Sequence, residues 1–174
     1  MNIGDSAIPF NLPNIDGSMV SLEQYADKAG VAVIFSCNHC PYVQAWENRM
    51  VAIQADYAER GIQFVAINAN DAEKYPADNM EAMQQRAADK AFNFPYLRDD
   101  SQEIARAYDA ERTPEVFLFD EDRKLVYHGA IDDNYENPDA VEDHYLRAAL
   151  DAMLGGEQPG TQMTPPVGCS IKWR

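Results

Sequence analysis

Residues 37–41 read Cys37-Asn38-His39-Cys40-Pro41, and their setting constrains the fold more than any other feature of the chain. Immediately before them, Val31-Ala32-Val33-Ile34-Phe35 is a continuous apolar run rich in β-branched side chains, which suits a strand buried on both faces. Immediately after them, Tyr42, Val43, Trp46, Met50, Ile53 and Tyr57 recur along one helical face, so residues 41–60 predict a long amphipathic helix that Gly61 can cap. Ile62 to Ala66 predicts a second buried strand. Strand, helix and strand form a βαβ unit, so the sheet begins parallel and both cysteines stand at a strand-to-helix junction.

The remaining segments extend this pattern. Residues 1–30 are short pieces punctuated by Pro9, Pro13, Gly17 and Gly30, with Ser21 and Gln24 at capping-box spacing, and read as a lead-in flap. Asp78 with Glu81, and Asp100 with Glu103, repeat that spacing and predict the starts of two further helices. Pro114 interrupts the chain before an apolar strand at 116–119, and residues 124–128 return after a polar turn, as in an antiparallel hairpin. Val141, Tyr145, Leu146, Ala149, Leu150 and Met153 define a last helix ending at Gly155-Gly156. Residues 157–174 are a Pro/Gly/Thr tail carrying Cys169 and Trp173. Trp46 and the Met80/Met83 pair read as core.

With 174 residues, 46% of them hydrophobic, the chain fits one domain that buries a sizeable core. Its 14 Lys plus Arg against 29 Asp plus Glu give a net charge of −15, which repels phosphate backbones and anionic lipid, so neither nucleic acid nor membrane is an expected partner. No run approaches a membrane span, and Met1-Asn2-Ile3-Gly4-Asp5 lacks the basic start of a secretory signal, so a cytoplasmic location is the expectation. Asp132, Asp133, Glu136, Asp139, Glu142 and Asp143 lack the alternation and glycine turn of a calcium loop and read as solvated acid.

Three cysteines do not make a disulfide framework, and two of them spaced Cys-x-x-Cys after a strand point to redox chemistry. The amides opening a helix favour thiolate over thiol, so Cys37 is the expected attacking sulfur and Cys40, one turn along, the resolving thiol. His39, if protonated, would stabilise the thiolate further. The same pair is half a zinc site, with His128, His144 and Cys169 as the other soft ligands, but none has the paired spacing of a ribbon or finger. Thr113-Pro114 stands where a strand begins, a position at which proline costs no ladder bond.

Residues 35–41 (Phe-Ser-Cys-Asn-His-Cys-Pro) and 108–117 (Tyr108 to Phe117, with Thr113-Pro114-Glu115), together with Ile67-Asn68-Ala69-Asn70-Asp71, Asp132-Asp133-Asn134 and the Gly168-to-Trp173 tail, resemble the thioredoxin fold. More closely, the chain resembles the peroxiredoxin-like, Cys-x-x-Cys-bearing redoxins of the alkyl hydroperoxide reductase/thiol-specific antioxidant branch. The resemblance implies an α/β three-layer sandwich, a mixed central sheet with helices on both faces. It implies one domain over 1–156 with an insertion at 71–99, and a tail at 157–174 packing on it. It further implies that Thr113-Pro114 is a cis bond beside the cysteines, that Pro114 shapes a substrate groove, and that Thr113 pairs with an extended substrate. Glu115, Asn38 and Asn70 are placed around the same mouth as substrate-binding positions.

Three departures from the family pattern bear on mechanism. Val31 occupies the place of the usual buried acid, leaving Glu47 and Glu115 as candidate bases. Asp109 stands where glycine is common, and Asp tolerates the positive φ such a turn requires. Gly30 and Ile34 stand where true peroxiredoxins carry Pro and Thr ahead of the peroxidatic cysteine. The function implied is thiol-disulfide oxidoreduction with a protein or small-thiol partner and a separate electron donor. No cofactor and no metal is expected, in a monomer or weak dimer. A metal-binding or redox-sensing module using the same thiols, and a thiol peroxidase, are the alternatives. About fourteen residues separate Cys169 from Gly155, enough extended chain at roughly 3.3 Å each to return to the mouth. Cys169 is therefore a candidate third redox thiol, a candidate ligand, or a small side chain pinned by Ile171 and Trp173.

Overall fold

The structure, a computed structural model, describes residues 1–174. In chain order the elements are β1 (Asn11–Pro13), β2 (Met19–Ser21), β3 (Gly30–Phe35), α1 (Pro41–Tyr57), β4 (Ile62–Asn68), α2 (Met80–Asp89) and β5 (Tyr96–Arg98), followed by α3 (Glu103–Ala107), β6 (Arg112–Thr113), β7 (Glu115–Phe119), β8 (Leu125–Gly129), α4 (Tyr145–Leu154) and β9 (Cys169–Ser170). Five strands form one mixed sheet in the order β5-β4-β3-β7-β8, with β3, β4 and β5 parallel and β7 and β8 antiparallel to their neighbours.

The period-two alternation of buried strands divides the core between two layers. Ala32 and Ile34 of β3, with Phe64 and Val116 of its neighbours, face Trp46, Met50 and Ile53 of α1 and Leu146 and Leu150 of α4. Val31, Val33 and Phe35 face the other way, onto Ala105, Tyr108, Phe10 and Leu22. Each fully buried aliphatic or aromatic side chain contributes about 1.5–3 kcal/mol, so a strand buried on both faces anchors both layers at once. This is the three-layer arrangement that the resemblance implied.

Several local expectations need correction. The long helix stops at Tyr57 and continues only as a 3-10 turn over Ala58–Arg60, before Gly61 turns at φ 84°. Asp78 does not cap α2. The cap is Asn79, whose side chain accepts from the Ala82 amide at 2.9 Å, because the Asp78 carboxylate is drawn inward. Asp100 does not cap α3 either: Gln102 precedes it at φ 67°, and buried Asp99 accepts from the Ala105 amide at 2.9 Å. Residues 71–99 are not simply an insertion, since β5 is the outer strand of the sheet and Met83, Ala87 and Phe94 lie in the core. The acidic run is not uniformly solvated. Asp132 is buried and accepts from the Trp46 indole at 3.0 Å and from Arg49 at 2.7 Å, so Trp46 is both core and hydrogen-bond donor. Asp109 takes φ 57°, as the sequence anticipated.

No helix is long and apolar enough to cross a membrane. The tail docks along its length on the domain. The Thr164 hydroxyl sits 2.9 Å from that of Tyr127, Ile171 is buried in the core, and Arg106 lies 4.4 Å over the Trp173 ring.

Candidate active site

β3 delivers Cys37 and α1 begins just after Cys40, which is the N-cap residue with Pro41 behind it. Proline suits that first helical position because its missing N–H would have no partner there. Both cysteines are 2% exposed and unbonded to one another. The Thr113–Pro114 peptide is cis and faces them. The Thr113 hydroxyl lies 3.4 Å from Cys37 Sγ, and the Thr113 carbonyl oxygen lies 3.5 Å from Cys40 Sγ. A cavity of about 190 Å³ opens here, lined by Cys37, His39, Cys40, Asn70, Cys169 and Lys172. The larger clefts, of about 340 to 510 Å³, lie away from the sulfurs.

The hydrogen bond between Cys37 and Cys40 moves the two thiols in opposite directions. It is the main cause of the lowered pKa of Cys40, opposed by burial and assisted by donation from Cys169 and by the Val43 amide of the first helical turn. Cys37 is pushed up by its hydrogen bond to Cys40, then by burial, with the Asp78 charge adding to the rise and the Thr113 hydroxyl opposing it. The helix N-terminus acts on its capping residue, and Cys37 lies three residues farther out.

His39 pairs with Asp78, Nδ1 to Oδ2 at 3.0 Å, and stacks near Tyr75. Asp78 is the functional residue that sequence reading missed. Its carboxylate also accepts from the Asn38 amide at 2.8 Å and from the side chains of Asn68 at 3.1 Å and Asn70 at 3.0 Å, and so fixes the cysteine loop. The only sequence signal was the spaced pair Asn68 and Asn70, two amides in need of an acceptor.

Of the expected substrate-binding residues, Thr113 and Asn70 reach the mouth and two do not present a free group. Asn38 is fully engaged: its side chain donates to the Ala77 carbonyl and accepts from the Tyr96 hydroxyl, both at 2.8 Å, and its own carbonyl accepts from Gln44. Glu115 is buried and accepts from the Glu111 and Arg112 amides at 2.9 Å and contacts His128 Nε2 at 2.7 Å. It holds the backbone amides of Glu111 and Arg112, just before Thr113, and does not line the cavity. Glu47, the other candidate base, is buried in an ion pair with Arg86. Neither acid contacts a sulfur. Val31, Gly30 and Ile34 are sheet residues, so the one hydroxyl beside Cys37 is that of Thr113. His128 and His144 do not join the thiols, and no three His, Cys, Asp or Glu side chains are arranged to hold a metal ion. Cys169, by contrast, packs against Cys37, Cys40 and Val43.

The AhpC/TSA family model matches residues 3–128. A conserved protein of Geobacillus kaustophilus, known from its crystal structure, superposes with a TM-score of 0.94 at 44% identity, over 99% of this chain and 93% of that one. Thiol-disulfide oxidoreductase ResA of Halalkalibacterium halodurans is 27% identical over 124 residues, 71% of this chain and 65% of that protein, just under two thirds of its length. A thiol:disulfide interchange protein of the thioredoxin family from Chlorobium tepidum superposes with a TM-score of 0.63 at 20% identity, over 74% of this chain and 86% of that one, a likeness of fold.

Proposed function

Because the chain belongs to the AhpC/TSA family, we propose that it is a thiol-disulfide oxidoreductase whose Cys37/Cys40 pair exchanges with a disulfide on a protein or small-thiol partner. One observation carries this reading: both sulfurs lie against Thr113, the residue preceding a cis-proline, at the mouth of a small cavity. The resemblance to ResA, by its name a thiol-disulfide oxidoreductase, points the same way.

In this reading the mixed disulfide with a partner forms on Cys37, which lies against the Thr113 hydroxyl, and resolution comes from Cys40, the residue that caps the helix. In the reducing direction, Cys37 passes its proton to Cys40 across their hydrogen bond and attacks one sulfur of the substrate disulfide. The other substrate sulfur departs as a thiolate and takes a proton from water. Cys40 then gives up its proton and attacks Cys37 Sγ, and the first substrate sulfur leaves as a thiolate that takes that proton up. Two electrons have moved to the substrate and the protein holds a Cys37–Cys40 disulfide, which a separate dithiol donor must reduce.

A redox titration of the pair, with insulin reduction measured beside it, tests the reading. Cys37→Ser is expected to abolish turnover, and Cys40→Ser to accumulate a mixed disulfide on Cys37. Turnover that survives Cys37→Ser would remove the assignment.

A further inference from the structure

The groove beside Thr113 is occupied by the chain's own tail. β9 pairs antiparallel with β6, Cys169 opposite Thr113 and Ser170 opposite Arg112. Gly168 is pressed onto the adjoining peptide: a Cβ there would stand 2.0 Å from the Thr113 carbonyl oxygen and 3.3 Å from Pro114 N, so no larger residue allows this approach. On the other bank of the mouth, the Lys172 amide donates to Asn70 Oδ1 at 2.9 Å, and its carbonyl accepts from the Asp71 amide at 2.8 Å and from Gln102 Nε2 at 2.9 Å. Thr113 and Asn70, the two expected substrate positions that reach the mouth, are thus bridged by a segment that lays a thiol against Cys40. That thiol is half-buried, whereas the other two are nearly sealed.

Resting on the dithiol reading above, we propose that Cys169 is a third redox-active thiol and the internal exchange partner of Cys40. After the Cys37–Cys40 disulfide has formed from a substrate disulfide, the Cys169 thiolate attacks Cys40 Sγ. The Cys40–Cys169 bond forms, the Cys37–Cys40 bond breaks, and Cys37 leaves as a thiolate that takes up the proton Cys169 released. The disulfide moves by one place with no oxidant or reductant added. The departing Cys37 is met by the Thr113 hydroxyl. Burial and the hydrogen bond to Cys40 hold Cys169 up at about 11 in the reduced protein, while Lys172 and Arg112 pull it down. Once Cys40 is oxidised its anion is gone, and the two basic groups favour the Cys169 thiolate. The exchange carries the oxidised state from sealed sulfurs to one that a reducing partner can reach.

The test is disulfide mapping by mass spectrometry, without reduction, after treatment with glutathione disulfide. In Cys37→Ser the expected product is a Cys40–Cys169 link: glutathione first joins Cys40, and Cys169 then expels it, so that two glutathione thiols are released for each protein disulfide made. Wild type is expected to yield both the Cys37–Cys40 and the Cys40–Cys169 pairs, and Gly168→Val, which forces the tail off Thr113, the first pair alone. Recovery of Cys169 as a free thiol in both wild type and Cys37→Ser, beside a lasting Cys40–glutathione adduct in the latter, overturns the proposal while a wild-type Cys37–Cys40 pair leaves the dithiol reading standing. Absence of both pairs from oxidised wild type removes that reading and this one together.

Discussion

His39 Nδ1 and Asp78 Oδ2 are 3.0 Å apart, and the pair joins a side chain that is 42% exposed to one that is fully buried. Through it the cysteine loop is tied to the segment before α2, and a fixed negative charge is placed near Cys37. Stability and thiol chemistry therefore meet in one carboxylate.

Asp78→Asn separates these two effects. Each carboxylate oxygen accepts from buried donors, so an amide in its place turns NH₂ against N–H on one side. A buried donor without an acceptor costs about 1–3 kcal/mol, and the urea midpoint of the reduced protein should fall accordingly. The Cys37 thiol should move the opposite way from destabilisation. Its pKa is raised chiefly by Cys40 and by burial, with the Asp78 charge adding to them. In a Cys40→Ser background, where only the latter two remain, loss of that charge should shift the pH profile of Cys37 alkylation downward. An unchanged profile would show that the carboxylate acts on structure alone.

Cys40 gives a signed prediction of stability against pH. Its folded pKa of about 4 lies below the ordinary thiol value of 9.0, so the folded state binds fewer protons than the unfolded state between those limits. The stability it contributes is therefore fully present above pH 9 and is lost as pH falls toward 4. Cys37, whose pKa is raised, stays protonated in both states until the pH nears 9.0, where ionisation of its unfolded thiol begins to oppose the trend. The excess stability of wild type over Cys40→Ser, from denaturant titrations of reduced protein, should grow from about pH 4 to 9. Ultraviolet thiolate absorbance should show one anion persisting toward pH 4 in wild type and absent from Cys40→Ser.

Thr113→Val keeps the shape of the side chain and removes its hydroxyl. The resting contact with Cys37 spans 3.4 Å, and the hydroxyl becomes a donor to a charged acceptor when Cys37 is the thiolate. Hydrogen bonds to charged groups contribute about 1.5–3 kcal/mol, so kcat/KM for insulin reduction should drop roughly tenfold to a hundredfold. The backbone pairing with β9 is untouched by this change, so the disulfide-mapping products should still include the tail cysteine.

The βαβ unit, the hairpin and the place of the cysteines were legible because each rests on local periodicity: an apolar run from Val31 to Phe35, a helical stripe from Tyr42 to Tyr57. What failed was long-range polar pairing. Asp78 and Asp100 carry the spacing of helix caps, but spacing cannot tell whether a carboxylate finds its acceptor role locally or across the fold. Asp78 answers to Asn38, 40 positions away in sequence, and so leaves the cap to Asn79. Cys169 was legible only as a matter of reach along the tail, whereas its place opposite Thr113 depends on tertiary contact. β5 was missed because Tyr96–Arg98 spans too few residues to show any period.

Asp132 carries the last of these unforeseen contacts and a prediction of its own. Its carboxylate takes the Trp46 indole N–H at 3.0 Å, Arg49 at 2.7 Å and the Asn134 amide at 2.9 Å, while Arg49 reaches on to the carbonyls of Asn134 and Tyr135. Trp46 and Arg49 both belong to α1, the helix that Cys40 caps, so this cluster fixes the helix against the segment after β8. Asp132→Ala leaves a largely buried guanidinium unpaired, and breaking a buried pair from one side costs about 3–5 kcal/mol. Replacing both partners, Asp132→Leu with Arg49→Met, leaves no uncompensated charge. The double variant should therefore lose less stability than the two single changes added together, as read by urea denaturation in a double-mutant cycle. Additive losses would mean that Arg49 is held by the Asn134 and Tyr135 carbonyls and that Asp132 serves Trp46 alone.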